Sequence, residues 1–445
     1  MEKVPGFDCA VNIDAVAEVL SMQYIGAPRT IYANVSKLPP GHVLFYGADS
    51  SFKIDTYFKF NPGFDVLRTW KLDSLVDELE DILLRSLRRR LVSDVPLGAF
   101  LSGGVDSSIV CAIIRKKLGH SLKTFSIGFK DAPESEDVVA GAFADHLDTK
   151  HHTLILDLEA AGFVTQIGAV LDEPNADSSC LPTYMLARFA RQYVTVALSG
   201  DGGDEMFGGY GRYLETIEED HHRAPWRAGD AYYKRMLVAL EQDLEDLLGF
   251  VPDGFADHIS DLRARVNSAQ PTLLAAMRRS DVDHYLPGAV LPKVDRMSMQ
   301  HSLEVRTPYL NVELARFSER LPDELLVHGG KGKLLLRELA YRFLPRELVD
   351  KPKQGFGLPM SDWARNSLLH ATSQLLESEE SRLANVLGRN RIDRFMCRQR
   401  SQGGFAPYRV WAVAMLESWL RHHPAKLPNL SEQEILGRRR PKWSC

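Results

Sequence analysis

The chain has 445 residues, 44% of them hydrophobic, which is enough for sizeable cores in two or three domains. A formal net charge of −5 argues against a nucleic-acid binder held by bulk electrostatics. The five cysteines are far apart and form no C-x-x-C pair, which fits a reducing cytoplasm without structural zinc. No apolar run reaches the roughly 18 residues of a membrane span, and no signal peptide opens the chain. We therefore expect a cytoplasmic protein without a nucleic-acid or membrane partner.

Residues 1–60 do not have the pattern of an autonomous domain. An amphipathic helix is expected over 14–24 and short strands over 43–46 and 53–57. Two strands and one helix cannot bury a core alone, so this part must dock on the rest of the chain. A longer amphipathic helix follows over 72–92.

The next segment combines a buried strand, a glycine-rich turn and the start of a helix. Residues 97–101 are the strand, and SGGVDSS follows at 102–108. Backbone N–H groups and the Ser102, Ser107 and Ser108 hydroxyls could hold a phosphate there. Asp106 would repel a bare phosphate, so the loop predicts a phosphate that carries Mg²⁺. The lysine of the G-x-x-x-x-G-K-S/T loop is absent, which argues against γ-phosphoryl transfer.

Strands and helices alternate after this loop. Strands are expected over 121–129, 151–156 and 193–198, with helices over 136–147 and 183–191. This order predicts an α/β fold with a parallel, Rossmann-like sheet, and a helical C-terminal part begins at about residue 225.

In parallel sheets, ligands bind beyond the carboxyl ends of the strands. The strand end at 126–129 could hold adenine. The SGDGGDE loop at 199–205 can supply Asp204 as a second metal carboxylate, with glycines that permit close approach to the phosphates. The alternative is that this acidic glycine loop is only a turn.

Two later segments carry charges that need partners. Residues 295–310 place Asp295, Arg296, Glu304 and Arg306 in an apolar helical segment that ends before a proline, either as an ion-pair lattice or as part of a site. The loop at 351–359 carries two lysines that could neutralise a transition state, unless it is an ordinary surface loop. Two further lysines, at 331 and 333, precede a helix expected over 334–343, which gives weak support for a phosphate nearby.

The motifs SGGVDSS, LSGDGGDEMFGGY, DRMSMQHSLEVRTPYLN and KPKQGFGLP occur in this order. The first resembles the pyrophosphate-binding loop of the ATP pyrophosphatase families, whose sheet is of the adenine nucleotide alpha hydrolase-like type. Together, the four resemble the synthetase domain of glutamine-dependent asparagine synthetase over residues 70–425, followed by a tail at 426–445. The resemblance implies an ATP-dependent carbon–nitrogen ligase of asparagine biosynthesis. In that family, aspartate is activated as β-aspartyl-AMP with release of pyrophosphate, and ammonia then displaces AMP.

The resemblance also implies roles for individual positions. Asp106 and Asp204 match the Mg²⁺ ligands. The pyrophosphate cradle corresponds to Ser102, Gly103, Gly104, Ser107 and Ser108. The adenosine contacts correspond to Leu101, Ile127, Ser199 and Gly200. Lys353 matches a lysine that stabilises the charged intermediates, Asp201 an acidic residue on the substrate side, and Glu304 is a weaker match on that side.

Residues 1–60 resemble the last helix and strands of the family's glutaminase domain. Family members normally begin, after loss of methionine, with a catalytic cysteine, whereas Glu2 stands here and Cys9 is not terminal. We expect either a fragment of a longer protein or a chain that uses free ammonia or a separate glutaminase subunit. A homodimer is also left open.

Two alternatives differ in chemistry. A related amidotransferase would act on another carboxylate, such as that of an envelope sugar acid or a secondary metabolite. A non-catalytic partner would bind ATP without turnover.

Overall fold

The computed structural model describes residues 2–130, 136–157, 160–220, 227–351, 358, 360, 367–401 and 404–428. The strands are β1 (His42–Tyr46), β2 (Phe52–Thr56), β3 (Leu97–Phe100), β4 (Lys123–Phe129), β5 (Lys150–Leu156), β6 (Val196–Leu198), β7 (Glu304–Arg306), β8 (Val327–His328) and β9 (Lys331–Gly332). The α-helices are α1 (Ile13–Met22), α2 (Leu72–Arg90), α3 (Val105–Ala112), α4 (Glu136–Leu147), α5 (Ala160–Val170), α6 (Cys180–Ala190), α7 (Gly203–Phe207), α8 (Gly211–Asp220), α9 (Ala228–Met236), α10 (Glu241–Leu248), α11 (Asp253–Asn267), α12 (Leu273–Ser280), α13 (Leu291–Met299), α14 (Val312–Glu319), α15 (Leu334–Tyr341), α16 (Arg346–Val349), α17 (Leu369–Glu377), α18 (Arg382–Leu387), α19 (Arg389–Arg400) and α20 (Pro407–His422). The remaining helical turns are Ile113–Lys117, Asp281–Val290 and Asp323–Leu325.

Five parallel strands form the central sheet in the order β5-β4-β3-β6-β7. Phe100 of β3 pairs with Phe125 of β4, and Leu97 pairs with Val196 of β6 on the other side. The strand order therefore reverses between β3 and β6. Because ligands of open parallel sheets bind at such a switch point, the glycine-rich loop that follows β3 lies where a nucleotide would bind. The expected parallel α/β fold is confirmed.

The segment at 295–310 differs from the expectation. The helix α13 ends at Met299, and β7 follows as the edge strand of the sheet, with Arg306 opposite Leu198 of β6. The prediction that helical structure continues towards Pro308 is therefore wrong. A three-residue strand is too short to show a period of two, so the hydrophobic pattern gives no sign of it.

The core of the helical part is α20. Residues 410–420 are all buried, including Trp411 and Trp419, so this helix is enclosed on every side. The helix α1 packs against α20 and α11, which agrees with the expectation that residues 1–60 dock on the rest of the chain. Among the described residues, no helix has both the length and the apolar character to cross a bilayer.

The strands β1 and β2 form a separate antiparallel hairpin. Leu44, Tyr46, Phe52 and Ile54 share one face of it, because Leu44 pairs with Ile54 and Tyr46 with Phe52. These four side chains belong to residues that are 43–71% exposed. The hairpin therefore presents a contiguous apolar face to solvent.

Candidate active site

The loop after β3 is a tight turn built by glycine and serine. Gly103 has φ +75°, and a Cβ there would lie 3.0 Å from the side chain of Val139 on α4. The hydroxyls of Ser107 and Ser108 donate to the carbonyl of Gly104 at 3.2 and 2.8 Å. Ser102 Oγ lies 3.1 Å from Ser107 Oγ. The turn leads directly into α3, whose first-turn N–H groups have no partner within the helix and can face an anion.

The SGDGGDE loop after β6 presses against this turn. A Cβ at Gly200 would lie 2.9 Å from the backbone nitrogen of Ser107, and one at Gly203 would lie 2.6 Å from Cγ of Asp106. Since real side chains do not approach this closely, glycine is required at both positions. The two sequence-predicted loops therefore meet at Asp106.

Lys333 joins the two predicted metal carboxylates. Its Nζ donates to Asp106 Oδ2 and lies 2.8 Å from Asp204 Oδ1. Burial alone would lower the pKa of this ammonium group, but Asp106 and Asp204 raise it above the ordinary value. The Tyr309 hydroxyl donates to the carbonyl of Asp106 at 3.1 Å and fixes the start of α3. Two carboxylates from different loops and one buried cation thus converge at the carboxyl ends of β3 and β6.

The other predicted nucleotide contacts lie along the same edge of the sheet. Leu101 is fully buried and Ile127 is 3% exposed, so their side chains belong to the core. Ser199 is also buried, and its hydroxyl donates to Asp201 Oδ2 at 2.7 Å. This bond holds the Asp201 carboxylate beside the end of β6. Lys353 lies outside the described residues.

Glu304 has no hydrogen bond or ion pair with Asp106, Asp204 or Lys333 among the described residues. It lies on the edge strand β7 with a 56% exposed side chain and pairs with Arg306 at 2.7 Å. Arg296 pairs with its neighbour Asp295 at 3.0 Å and with Asp172 at 3.1 Å, and no ion pair among the described residues links it to Glu304 or Arg306. The charges at 295–306 therefore form separate, partly exposed ion pairs and not a common lattice.

A second buried lysine lies close to Asp201. Lys293 Nζ donates to Ser179 Oγ at 2.7 Å and lies 3.4 Å from Asp177 Oδ2. The Ser179 hydroxyl donates in turn to Asp177 Oδ1 at 2.6 Å. Burial lowers the pKa of Lys293, but Asp177 and Asp201 raise it more strongly, so the lysine stays charged. We call Lys293, Asp177, Ser179 and Asp201 the Lys293 cluster.

Glu205, next to Asp204, is a third buried ionisable group. Burial and the charge of Asp204 raise its pKa to about 7, although the Tyr210 hydroxyl donates to Glu205 Oε1 at 2.7 Å. Arg278, 1% exposed, donates to the carbonyl of Glu205 at 3.1 Å and helps to fix α7. Buried polar contacts of Glu205 with Tyr210 and Arg278 therefore fix the position of the loop after β6.

Sequence reasoning missed most of these supporting residues. The only sequence signal for Lys333 was a weak one: a lysine directly before a predicted helix, where a nearby anion is expected. Lys293 and Arg278 lie in helical segments where one cation among apolar residues does not reveal its partners. Lys293 is 114 residues from its partner Ser179 in the sequence, and Arg278 is 73 residues from its partner Glu205.

The donor set suits a divalent cation that completes its shell with substrate. Asp106 and Asp204 offer the hard oxygen ligands that Mg²⁺ prefers. Among the described residues, no group of three or more His, Cys, Asp or Glu side chains gathers as a metal centre. Two carboxylates fit Mg²⁺ that binds together with phosphates, since this ion seldom has an all-protein cage.

The fold and the site define a parallel α/β protein with a glycine-rich anion loop and two carboxylates at the switch point. The asparagine synthase family model matches residues 78–421, and the chain belongs to that family.

Curated relatives carry the same family name. The chain is 28% identical over 417 residues to the glutamine-hydrolyzing asparagine synthetase 1 of Bacillus subtilis, which covers 84% of this chain and 63% of that protein. It is 29% identical over 451 residues to a putative glutamine-hydrolyzing asparagine synthetase of Mycobacterium tuberculosis, covering 93% and 68%. The human glutamine-hydrolyzing enzyme is 25% identical over 316 residues, covering 68% and 45%. The chain thus spans about two thirds or less of the length of these relatives.

Among solved structures, NMN synthetase from Francisella tularensis matches with a TM-score of 0.24 and 14% identity, covering 49% of this chain and 94% of that one.

Proposed function

We propose that this chain amidates the side-chain carboxylate of aspartate at the expense of ATP, through β-aspartyl-AMP. The observation that carries the proposal is the convergence of Asp106 and Asp204 on Lys333 beside the loop at 102–108. An anion loop with paired carboxylates suits a triphosphate with Mg²⁺ better than it suits a bare anion. Membership of the asparagine synthase family supports the same chemistry.

In the proposed reaction, an aspartate carboxylate oxygen attacks the α-phosphorus of ATP, and the bond to pyrophosphate breaks. Ammonia then attacks the carbonyl carbon of the acyl-AMP, loses a proton, and AMP leaves. The cradle for the departing pyrophosphate is formed by the backbone at Gly103 and Gly104 and the hydroxyls of Ser102, Ser107 and Ser108. Backbone groups at Leu101, Ile127, Ser199 and Gly200 would contact the adenosine. Mg²⁺, when bound to Asp106 and Asp204, would neutralise phosphate charge.

Lys333 has a defined part in this proposal. In the absence of nucleotide, it compensates the charges of Asp106 and Asp204, with Nζ between them. With pyrophosphate in the loop at 102–108, the ammonium group would lie near the developing charge and would turn from the carboxylates towards the leaving group. Lys353 would stabilise the same charge from the loop at 351–359.

The Lys293 cluster would bind the amino-acid part of the substrate. It combines a buried cation with the carboxylates of Asp177 and Asp201, and an α-amino acid presents the complementary pair of charges. Lys293→Met should raise the KM for aspartate much more than the KM for ATP, whereas Lys293→Arg should retain part of the activity. An equal effect of Lys293→Met on both KM values would remove the cluster from the aspartate site.

We assign residues 1–60 to the end of a glutaminase domain and 70–425 to the synthetase domain. The exposed face of the β1–β2 hairpin supports this assignment, because such a face needs a covering partner. The nitrogen donor is then free ammonia, or glutamine hydrolysed by further glutaminase residues or by a separate subunit. Comparing ammonium salts with glutamine as nitrogen source distinguishes these donors.

The proposal is tested by incubating the chain with ATP, Mg²⁺, aspartate and an ammonium salt. AMP, pyrophosphate and asparagine should appear in equal amounts, and Lys353→Ala should bind ATP but lose most of the product. Formation of ADP and orthophosphate would reject the reaction. Nucleotide binding without turnover would indicate a non-catalytic partner.

A further inference from the structure

The Lys293 cluster is built from two halves that are far apart in the sequence. Asp177 and Ser179 come from the loop at 172–179, between α5 and α6, whereas Lys293 comes from α13. A hydrogen bond from Lys293 to Ser179 at 2.7 Å and an ion pair with Asp177 at 3.4 Å join the halves. The geometry of the cluster therefore depends on what holds the loop and the helix in place.

The N-terminal segment holds the loop at the residue directly before Asp177. Gln23, at the carboxyl end of α1, donates from Nε2 to the carbonyl of Ala176 at 2.6 Å. The backbone nitrogen of Ala176 donates in turn to the carbonyl of Gln23 at 2.7 Å. Ala176 is fully buried, so one residue of the N-terminal segment satisfies both of its backbone polar groups.

A carboxylate ties the start of the loop to the same segment. Glu173 Oε1 accepts from the backbone nitrogen of Ile31 at 2.8 Å, and Oε2 pairs with Lys37. Lys37 Nζ also donates to the carbonyl of Ile25 at 2.8 Å. The segment at 23–37 therefore holds the loop at Glu173 as well as at Ala176.

The same segment contacts the helix side of the cluster. Tyr24 is 2% exposed, and its ring centroid lies 5.9 Å from that of Tyr285 in an edge-to-face arrangement. A Cβ at Gly288 would lie 2.5 Å from the Tyr24 ring, so glycine is required for this contact. Tyr285 and Gly288 belong to the helical turns at 281–290, which lead directly into α13 and Lys293. Residues 23 and 24 thus contact both the loop and the structure that carries the lysine.

We propose that Gln23 and Lys37 are positioning residues that keep Asp177 in place opposite Lys293, so that the docked N-terminal segment controls the affinity for aspartate. This inference rests on the proposed function, because it takes the Lys293 cluster as the site for the amino acid. Among the described residues, no hydrogen bond or ion pair joins 23–37 to the loops at 102–108 and 199–205. The affinity for ATP should therefore not depend on the segment.

The test compares asparagine formation from aspartate, ATP and ammonium by the full chain and by Gln23→Ala. The substitution removes the Nε2 donor to Ala176, so the KM for aspartate should rise about fivefold or more while the KM for ATP stays unchanged. Ser21→Ala is the matched control, because Ser21 is a fully buried residue of α1 whose hydroxyl donates to the carbonyl of Ala239 and not to the loop. It should leave both KM values unchanged.

Lys37→Met provides a second test at the other point of attachment. It should raise the KM for aspartate in the same way, whereas Lys37→Arg retains a cation opposite Glu173 and should recover most of the affinity. Hydrogen exchange of residues 172–180, followed by mass spectrometry without substrates, should be faster in Gln23→Ala and Lys37→Met than in the unsubstituted chain.

An unchanged KM for aspartate, an equal rise in both KM values, or the same rise in Ser21→Ala would overturn the inference. Unchanged hydrogen exchange in both variants would overturn it whatever the chain catalyses, because the segment would then not hold the loop. If the unsubstituted chain forms no asparagine, the proposed function itself fails. If it forms asparagine with an aspartate KM that Gln23→Ala leaves unchanged, only the positioning role fails.

Discussion

Lys333→Met removes the cation that lies between Asp106 and Asp204 and leaves two carboxylates close together in a buried site. Nζ is 2.8 Å from Asp204 Oδ1, where attraction between unit charges is about 6 kcal/mol at an effective dielectric constant of 20. Desolvation of the lysine offsets much of this attraction. Removing one partner of a buried ion pair typically costs about 3–5 kcal/mol, so we expect a loss of that order in the free energy of unfolding.

The expected loss can be measured by urea denaturation followed by circular dichroism, with and without Mg²⁺. In Lys333→Met, Mg²⁺ should recover much of the lost stability, because a divalent cation can take the place of the ammonium group between the carboxylates. In the unsubstituted chain Mg²⁺ alone should have little effect. Lys331→Met is the matched control, since Lys331 is 60% exposed and its Nζ is 3.9 Å from Asp350. If Lys333→Met unfolds at the same urea concentration as the unsubstituted chain, Lys333 does not compensate the two carboxylates.

Two further perturbations test the geometry. Gly203→Ala should displace Asp106 and weaken ATP binding about tenfold or more in calorimetric titrations. Gly141→Ala is the control and should bind ATP normally, because a Cβ there meets nothing within 4 Å. Equal ATP affinities of the two variants would refute the close approach of Gly203 to Asp106. Burial, aided by Arg29 and Arg265, lowers the pKa of His258 to about 4, and burial with His258 lowers that of His284 to about 3. Above pH 6.5 both histidines are neutral in the folded and in the unfolded chain. Below pH 6.5 the histidines of the unfolded chain become protonated, whereas those of the folded chain stay neutral. As the pH is lowered from 6.5 to about 4, the free energy of unfolding should fall by up to about 1.4 kcal/mol per pH unit for each histidine. Replacing both histidines by glutamine should flatten the plot of the urea midpoint against pH.

The sheet could be predicted from the sequence because its signals are local. The runs before SGGVDSS and SGDGGDE are buried strands followed by glycine, and the connections between them are long enough for parallel crossovers. The glycines of the SGDGGDE loop predict a close approach to phosphates, which stays a prediction, and the close contact of Gly203 with Asp106 was not foreseen. The three-residue strand β7 was missed because its identity depends on pairing with β6 and not on its own pattern.

The partners of buried charges could not be predicted in the same way. Lys333 and Asp106 are 227 residues apart, and nothing local to either residue specifies the other. In the sequence, Lys293 is a single charge on a predicted helix. Only the packing of α13 against α6 brings Ser179 to within hydrogen-bond distance of it. Glu304 shows the reverse case: its motif indicates a site, but its side chain lies on an exposed sheet edge with Arg306 as partner. Long-range packing decides which charges enter a site, whereas local sequence decides where the site can form.

The central claim is that a carboxylate oxygen of the substrate becomes bonded to the α-phosphorus of ATP. It is tested most directly by supplying aspartate labelled with ¹⁸O in its side-chain carboxylate, together with ATP, Mg²⁺ and ammonium, and analysing the products by mass spectrometry. We predict that one ¹⁸O atom per turnover appears in AMP and none in pyrophosphate. Label in orthophosphate, or asparagine formed with unlabelled AMP, would contradict the adenylate mechanism.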